Sequence, residues 1–287
     1  MTVHIKAPAS SANIGIGFDA LAIAFDMYNE FSFQTSLLDA HHGFQKQYAL
    51  SSNLALQAYQ AFHKAFGKKY QPVLITLKHE GIPISRGLGS SSSLILAGVL
   101  ASNILNNINQ SFDQCVSFAA NYEGHADNVF ACAYGGFISV IHERNTWIHH
   151  HLSVSNKLQF HVLIPHHKGS TKTLRNALPM HVPIQDAASN IAKMSMLPYA
   201  FETGDLKTLK RILVDHIHEP YRIPLFKNKA MIETLKQQYV MTLSGSGPTL
   251  LIISDQVELD LNEDILSSYQ YQKVNIKYHQ IEVDICA

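Results

Sequence analysis

Residues 83 to 93 read Pro-Ile-Ser-Arg-Gly-Leu-Gly-Ser-Ser-Ser-Ser, and the apolar stretch Leu94 to Leu105 that follows reads as the body of a helix. Gly87 and Gly89 remove Cβ atoms where a backbone needs positive φ or close approach to a ligand, while Ser90, Ser91, Ser92 and Ser93 place hydroxyls at the helix start. A helix opening there directs free N–H groups and a partial positive charge into the loop, which favours an anion such as a nucleotide phosphate. Pro83, Ile84, Ser85, Arg86, Gly87, Leu88, Gly89 and the four serines are therefore a predicted phosphate cradle. It is not a Walker loop, which needs Lys directly before its Ser or Thr, whereas here Ser90 follows Gly89. Such a loop also starts helices with no ligand present, so its company matters. That company is Lys6 to Asp19 (Lys-Ala-Pro-Ala-Ser-Ser-Ala-Asn-Ile-Gly-Ile-Gly-Phe-Asp), Glu123-Gly-His-Ala-Asp-Asn128, and a second glycine turn, Gly245-Ser246-Gly247, able to close over the same phosphates.

The elements that must position these residues follow an α+β pattern. Residues 3 to 7 and 28 to 35 read as strands. Asn53 caps a helix to about Phe66, and Val73 to Lys78 alternates as a strand. After the cradle helix comes a helix from Phe112 to about Glu123, then one ended by Gly135-Gly136, then the strand Phe137 to His142. The polar stretch His149 to Asn156 reads as an irregular boundary, with a buried strand Leu158 to Pro165 beyond it. This divides the chain into residues 1–155 and 156–287. The second part reads as helices at about 187–202, 206–213 and 227–238, strands flanking Gly245 to Gly247, a helix near 258–268, and strands near 271–285.

At 287 residues, two compact units are the natural prior. Hydrophobic residues at 46% against charged residues at 15% suit a globular protein. Lys plus Arg and Asp plus Glu balance at 22 each without a basic block, which argues against nucleic acid and for a small-molecule partner. No apolar run approaches the ~20 residues that span a bilayer. Cys115, Cys132 and Cys286 are widely separated, which suits buried thiols in a reducing cytoplasm. The 17 histidines include His149-His150-His151, read as a solvated loop because three adjacent residues do not converge on one metal.

In order and spacing these segments resemble the GHMP kinases, and among them the homoserine kinases. Ser-Ala-Asn13-Ile-Gly-Ile-Gly-Phe-Asp19, Arg-Gly-Leu-Gly-Ser-Ser, Glu-Gly-His-Ala-Asp-Asn, Ser170-Thr171 with Arg175 before Leu-Pro179, and Glu219-Pro-Tyr-Arg222 carry the likeness, over residues 3 to 250. Ala126 stands where the family often has Pro, and Ser92 and Ser93 where it often has Ala. The resemblance implies an N-terminal GHMP fold with a left-handed βαβ crossover, followed by a ferredoxin-like unit. It also implies ATP and Mg2+ as cofactors, and phosphorylation of the L-homoserine hydroxyl on the route to threonine. Asn13 and Asn128 would orient that hydroxyl, Arg175 and Arg222 would grip the substrate carboxylate, and Asp19 its ammonium. Ser90 or Ser91 with Glu123 would hold the metal. No general base is evident, since Asn128 cannot accept a proton usefully, and His125 and Asp127 read as loop supports. The alternatives are a GHMP kinase for another small alcohol such as mevalonate, and a non-catalytic nucleotide-binding regulator. A homodimer is compatible with the sequence.

Overall fold

A computed structural model describes residues 1–286 except 46, 47, 68, 168 and 170; of Thr171 and Lys172 it describes the backbone alone. Two sheets form the framework. The first has seven strands, in the order β11-β1-β2-β4-β3, with a β5–β6 hairpin attached to β2. Its strands are β1 (Thr2–Ala12), β2 (Leu21–Thr35), β3 (Ala40–His42), β4 (Val73–Glu80), β5 (Phe137–Glu143), β6 (Thr146–Leu152) and β11 (Glu282–Cys286). β3 and β4 pair in parallel, with α1 (Leu54–Phe66) crossing between them. α2 (Ser90–Leu105), α3 (Phe112–Glu123) and α4 (Asp127–Tyr134) complete the layer over this sheet.

Local chemistry explains the helix starts. Asn53 accepts hydrogen bonds from the N–H groups of Ala55 and Leu56, and Ser111 with Gln114 forms a reciprocal capping box at α3. α2 is apolar on every side and is correspondingly the central helix, with Ile95 to Ala101 all buried. The cradle at its start is thereby fixed to the buried central helix of the layer.

The second sheet has the order β10-β7-β9-β8, antiparallel throughout, from β7 (Gln159–Pro165), β8 (Val240–Leu243), β9 (Leu250–Ser254) and β10 (Tyr269–Val274). Read in chain order this is 4-1-3-2, the ferredoxin-like arrangement. Phe160, Val162 and Ile164 of β7 face a core shared with the first sheet, and Leu163 faces a separate one. The shared core joins the layers through Phe25 against Phe160 and Phe137 against Phe201, at ring-centroid distances of 5.8 and 4.7 Å. Aromatic pairs of this kind contribute about 0.5–1.5 kcal/mol each beyond area burial.

The structure corrects the sequence reading at three places. His149 to His151 lie in β6, paired to β5, and not in a loop. The β5–β6 hairpin turns at Arg144 and Asn145, both with positive φ (49° and 65°), the geometry of a two-residue type I′ turn. His149 stacks on Tyr134 at 4.1 Å, so its imidazole behaves as an aromatic strand residue. Second, residues beyond β10 return to the first sheet: the Lys277 N–H bonds the Ala24 carbonyl, and β11 pairs with β1. A division at 155/156 therefore puts β11 with the wrong sheet. Third, Cys115 and Cys132 are buried but Cys286, on that edge strand, is exposed. Among the described residues no helix is long and apolar enough to cross a membrane.

Candidate active site

The cradle takes the backbone form its composition predicts. Ser85, Gly87 and Gly89 have φ of 58°, 82° and 73°, and α2 starts at Ser90 with no side chain capping its first N–H groups. What approaches the glycines, however, is protein. A Cβ at Gly87 would lie 2.3 Å from the Ser244 carbonyl oxygen, and one at Gly89 2.3 Å from Ser10 Oγ. The second glycine turn is thus packed against the cradle, with Ser244 Oγ donating to the Gly87 carbonyl (2.6 Å) and Thr249 N–H to that of Arg86 (3.2 Å).

A cleft of about 180 Å³ runs from this loop pair to the loop 13–19. Of the predicted nucleotide residues, Ile84, Ser85, Arg86, Gly87, Gly89, Ser90, Ser91, Gly245 and Ser246 line it. Pro83, Leu88, Ser92, Ser93 and Gly247 do not. Leu88 belongs to the shared core, and Ser93 Oγ donates to the Ser90 carbonyl while accepting from Asn29 Nδ2, so it braces the helix start. The Arg86 guanidinium donates to the carbonyls of Pro165 (2.8 Å), Ile84 (3.0 Å) and His166 (2.8 Å), joining the cradle to the end of β7.

Asn13, Asp19, Asn128, Arg175 and Arg222 line the same cleft. Asn13 (φ 70°) donates through Nδ2 to the Gly245 carbonyl at 2.7 Å and accepts at Oδ1 from the Asp19 N–H at 3.0 Å. Arg175, on the short helix α5 (Thr171–Asn176), places Nη2 2.9 Å from Asp19 Oδ1. Arg222 ends the one-turn helix α8 (Glu219–Arg222) and is 1% exposed, its guanidinium lowered to about 10 by burial and by Arg175, with Asp19 opposing. Asn128 Oδ1 accepts from Ser10 Oγ at 2.8 Å. Of the signature around Arg175, Ser170 and the Thr171 side chain lie outside the described residues.

Glu123 does not line the cleft but reaches its edge, where Oε1 accepts from Ser91 Oγ. Its Oε2, with Ser90 Oγ and Ser92 Oγ, is buried without a hydrogen-bond partner among the described residues. Burial raises the Glu123 carboxyl, against the opposing effect of Ser91. Unpartnered hard oxygens beside a phosphate loop are the donor set a magnesium ion requires, so the residues fit that ion.

Asp127 is buried at the start of α4, accepts the Asn128 N–H at 2.8 Å, and is raised to about 7 by burial and by Asp19. Below about pH 4 both folded and unfolded forms hold this proton; between there and about 7 the folded form holds more, so stability falls as pH rises. Asp127→Asn keeps the acceptor for Asn128 and removes that penalty. The variant should melt above the parent at about pH 8 and close to it at about pH 4. A lower melting point at both would assign the carboxylate a favourable role in the fold.

Sequence reasoning missed Leu54 and Leu94, which with Ile84 give the cleft an apolar wall. Leu54 opens α1 and Leu94 lies in the first turns of α2, so each reads from the sequence as a core residue of its helix, with no ligand signal in its spacing.

Residues 53–136 match the family described as GHMP kinases N terminal domain. The homoserine kinase of Clostridium acetobutylicum is 32% identical over 262 residues, covering 89% of this chain and 88% of its own. The chain belongs to the homoserine kinase family. A homoserine kinase of Clostridium botulinum is 31% identical and covers 98% of this chain and 96% of its own length. The crystal structure of homoserine kinase from Cytophaga hutchinsonii superimposes with a TM-score of 0.82 at 23% identity, over 99% of this chain and 97% of that one, and so shares the two-sheet fold.

Proposed function

We infer that the protein transfers the γ-phosphoryl group of ATP to the side-chain hydroxyl of L-homoserine, giving O-phospho-L-homoserine for threonine formation. One observation carries this reading: Asp19, Arg175 and Arg222 line the same cleft as the glycine cradle. Homoserine is a zwitterion, and the Asp19–Arg175 ion pair with Arg222 behind it offers an acid for its ammonium and two guanidinium groups for its carboxylate. Mevalonate has no ammonium to match Asp19.

Phosphoryl transfer asks the protein for position and charge neutralisation more than for covalent chemistry. The free N–H groups at the start of α2 cradle the phosphates, and the apolar wall of Leu54, Ile84 and Leu94 suits the base. Asn128 holds the acceptor hydroxyl. Its amide takes no proton, and burial with Arg175 nearby lowers the His125 imidazole, which makes it a poor acceptor for one. The hydroxyl proton accordingly leaves late, to the phosphoryl group or to water, as a loose transition state permits. Glu123 with Ser90 and Ser91 would hold Mg2+, which supplies neutralisation of the phosphate charge. We place this reaction in the cytoplasm.

The test is a coupled assay with ATP and magnesium against homoserine, mevalonate, galactose and shikimate. Homoserine should be turned over fastest, and a preference for mevalonate would overturn the substrate assignment. For the metal site, Glu123→Gln should raise the Mg2+ concentration for half-maximal rate at least about tenfold, since one charged ligand is worth ~1.4 kcal/mol or more. The homoserine KM at saturating Mg2+ should stay near the parent value. An unchanged Mg2+ requirement would remove Glu123 from the ligand set.

A further inference from the structure

His218 is fully buried beside Arg222 and has no part in the reaction as derived so far. Its Nε2 lies 2.6 Å from the Gly15 carbonyl oxygen, which can only accept, so Nε2 carries the proton. Its Nδ1 lies 3.1 Å from Arg222 Nη1, which can only donate, so Nδ1 carries the lone pair. The two contacts together require the neutral Nε2–H tautomer. Burial lowers the imidazole below its ordinary value, against the pull of Asp215 and Glu219, and so favours the neutral ring. Asp215 Oδ2, at 3.7 Å from Nε2, is too distant to compete with Gly15 for the proton. The other Arg222 contacts are longer, 3.3 Å to the Leu174 carbonyl and 3.4 Å to that of Gly245. The Phe18 ring completes the arrangement, its centroid 5.3 Å from that of His218 and 5.4 Å from the Arg222 guanidinium carbon.

We propose that His218 is a positioning residue for substrate recognition, holding the Arg222 guanidinium toward the homoserine carboxylate by accepting at Nδ1 while its Nε2–H is anchored to the loop that carries Asn13 and Asp19. This rests on the reading of Arg222 as a carboxylate ligand. His218 joins the two sequence-distant halves of the acceptor end, Gly15 lying 203 residues before it. The guanidinium is a planar fork, so a rotation that leaves its charge in place still loses the paired geometry on a carboxylate.

Conservative substitutions separate the two ring nitrogens. His218→Asn can present an oxygen near the place of Nδ1, keeping the acceptor for Arg222 and losing the reach to Gly15. His218→Gln can present a donor near Nε2, keeping Gly15 and losing the acceptor. In the folded full chain, His218→Gln should raise the homoserine KM about tenfold, with kcat and the ATP KM within about twofold, while His218→Asn stays within about threefold of the parent. In an Arg222→Leu background, His218→Gln should add almost nothing, because the residue acts through the one removed. Nitrogen-15 spectra of the parent should show the His218 ring as the neutral Nε2–H tautomer near pH 7, a measurement that needs no variant to fold. An Nδ1–H or doubly protonated ring, a parental KM in His218→Gln, or additive effects with Arg222→Leu would each overturn the proposal. If instead Arg222→Leu itself leaves homoserine binding unchanged, the carboxylate reading fails, and the ring spectrum still reports the tautomer.

Discussion

Arg222→Leu is expected to raise the homoserine KM at least about tenfold and to leave the ATP KM within about twofold. A charge-assisted guanidinium–carboxylate pair contributes roughly 1.5–3 kcal/mol, and ~1.4 kcal/mol is already a factor of ten. The loss should fall on the carboxylate alone: 3-aminopropan-1-ol, which keeps the hydroxyl and ammonium, should be a poor substrate for the parent and no worse for the variant. The structure adds a consequence for stability. The side chain is buried and bonds the Leu174 and Gly245 carbonyls, so leucine leaves those groups less satisfied, at about 1–3 kcal/mol. A lowered melting temperature therefore accompanies the KM change, and kinetics belong well below it. Equal losses for homoserine and 3-aminopropan-1-ol would show that Arg222 supports the fold and not the substrate.

The second large effect is expected at Gly87. A valine there meets the Ser244 carbonyl at 2.3 Å and that of Gly247 at 2.8 Å, on a backbone with φ of 82°. Neither carbonyl is the end of a flexible side chain, so the turn must move off the cradle. Strain of this kind costs of order 1–3 kcal/mol before any displacement, which for a chain of this size lowers the melting temperature by roughly 2–5 °C. Calorimetric titration with a non-hydrolysable ATP analogue should show at least about a hundredfold loss of affinity, because the phosphate-facing N–H groups lose their arrangement. Gly89→Val differs: its Cβ meets Ser10 Oγ at 2.3 Å and Asn128 Oδ1 at 3.2 Å, so the acceptor end is disturbed as well. Full nucleotide affinity in a folded Gly87→Val protein would refute the phosphate role.

These two glycines show how far the sequence carries. Their need for positive φ was legible, because glycine takes that backbone at no steric cost and two fall in a Gly-Leu-Gly run before a helix. The neighbour that forces the choice was not, since Ser244 and Ser10 reach the cradle only through tertiary packing. The helix starts at Asn53 and Ser111 depend on local hydrogen bonds and could be read directly. α5 and α8, which deliver Arg175 and Arg222, are 6 and 4 residues long and leave no usable periodicity. The family signature located those arginines where pattern reading could not. β6 escaped because its alternating side chains include three histidines, of which His149 packs on Phe130 and Tyr134 where a strand would ordinarily show an aliphatic residue.

The return of β11 to the first sheet has a consequence for synthesis on the ribosome. β1 finds one neighbour, β2, within the first 35 residues, but its other neighbour, β11, is translated roughly 250 residues after β2. At ~5–20 residues per second, that edge of β1 waits some tens of seconds with its backbone groups from Thr2 to Lys6 unpaired. An open strand edge invites pairing with another nascent chain. The early half of the molecule can collapse around α2 as it emerges, yet its sheet is completed only when the last strand arrives to close it.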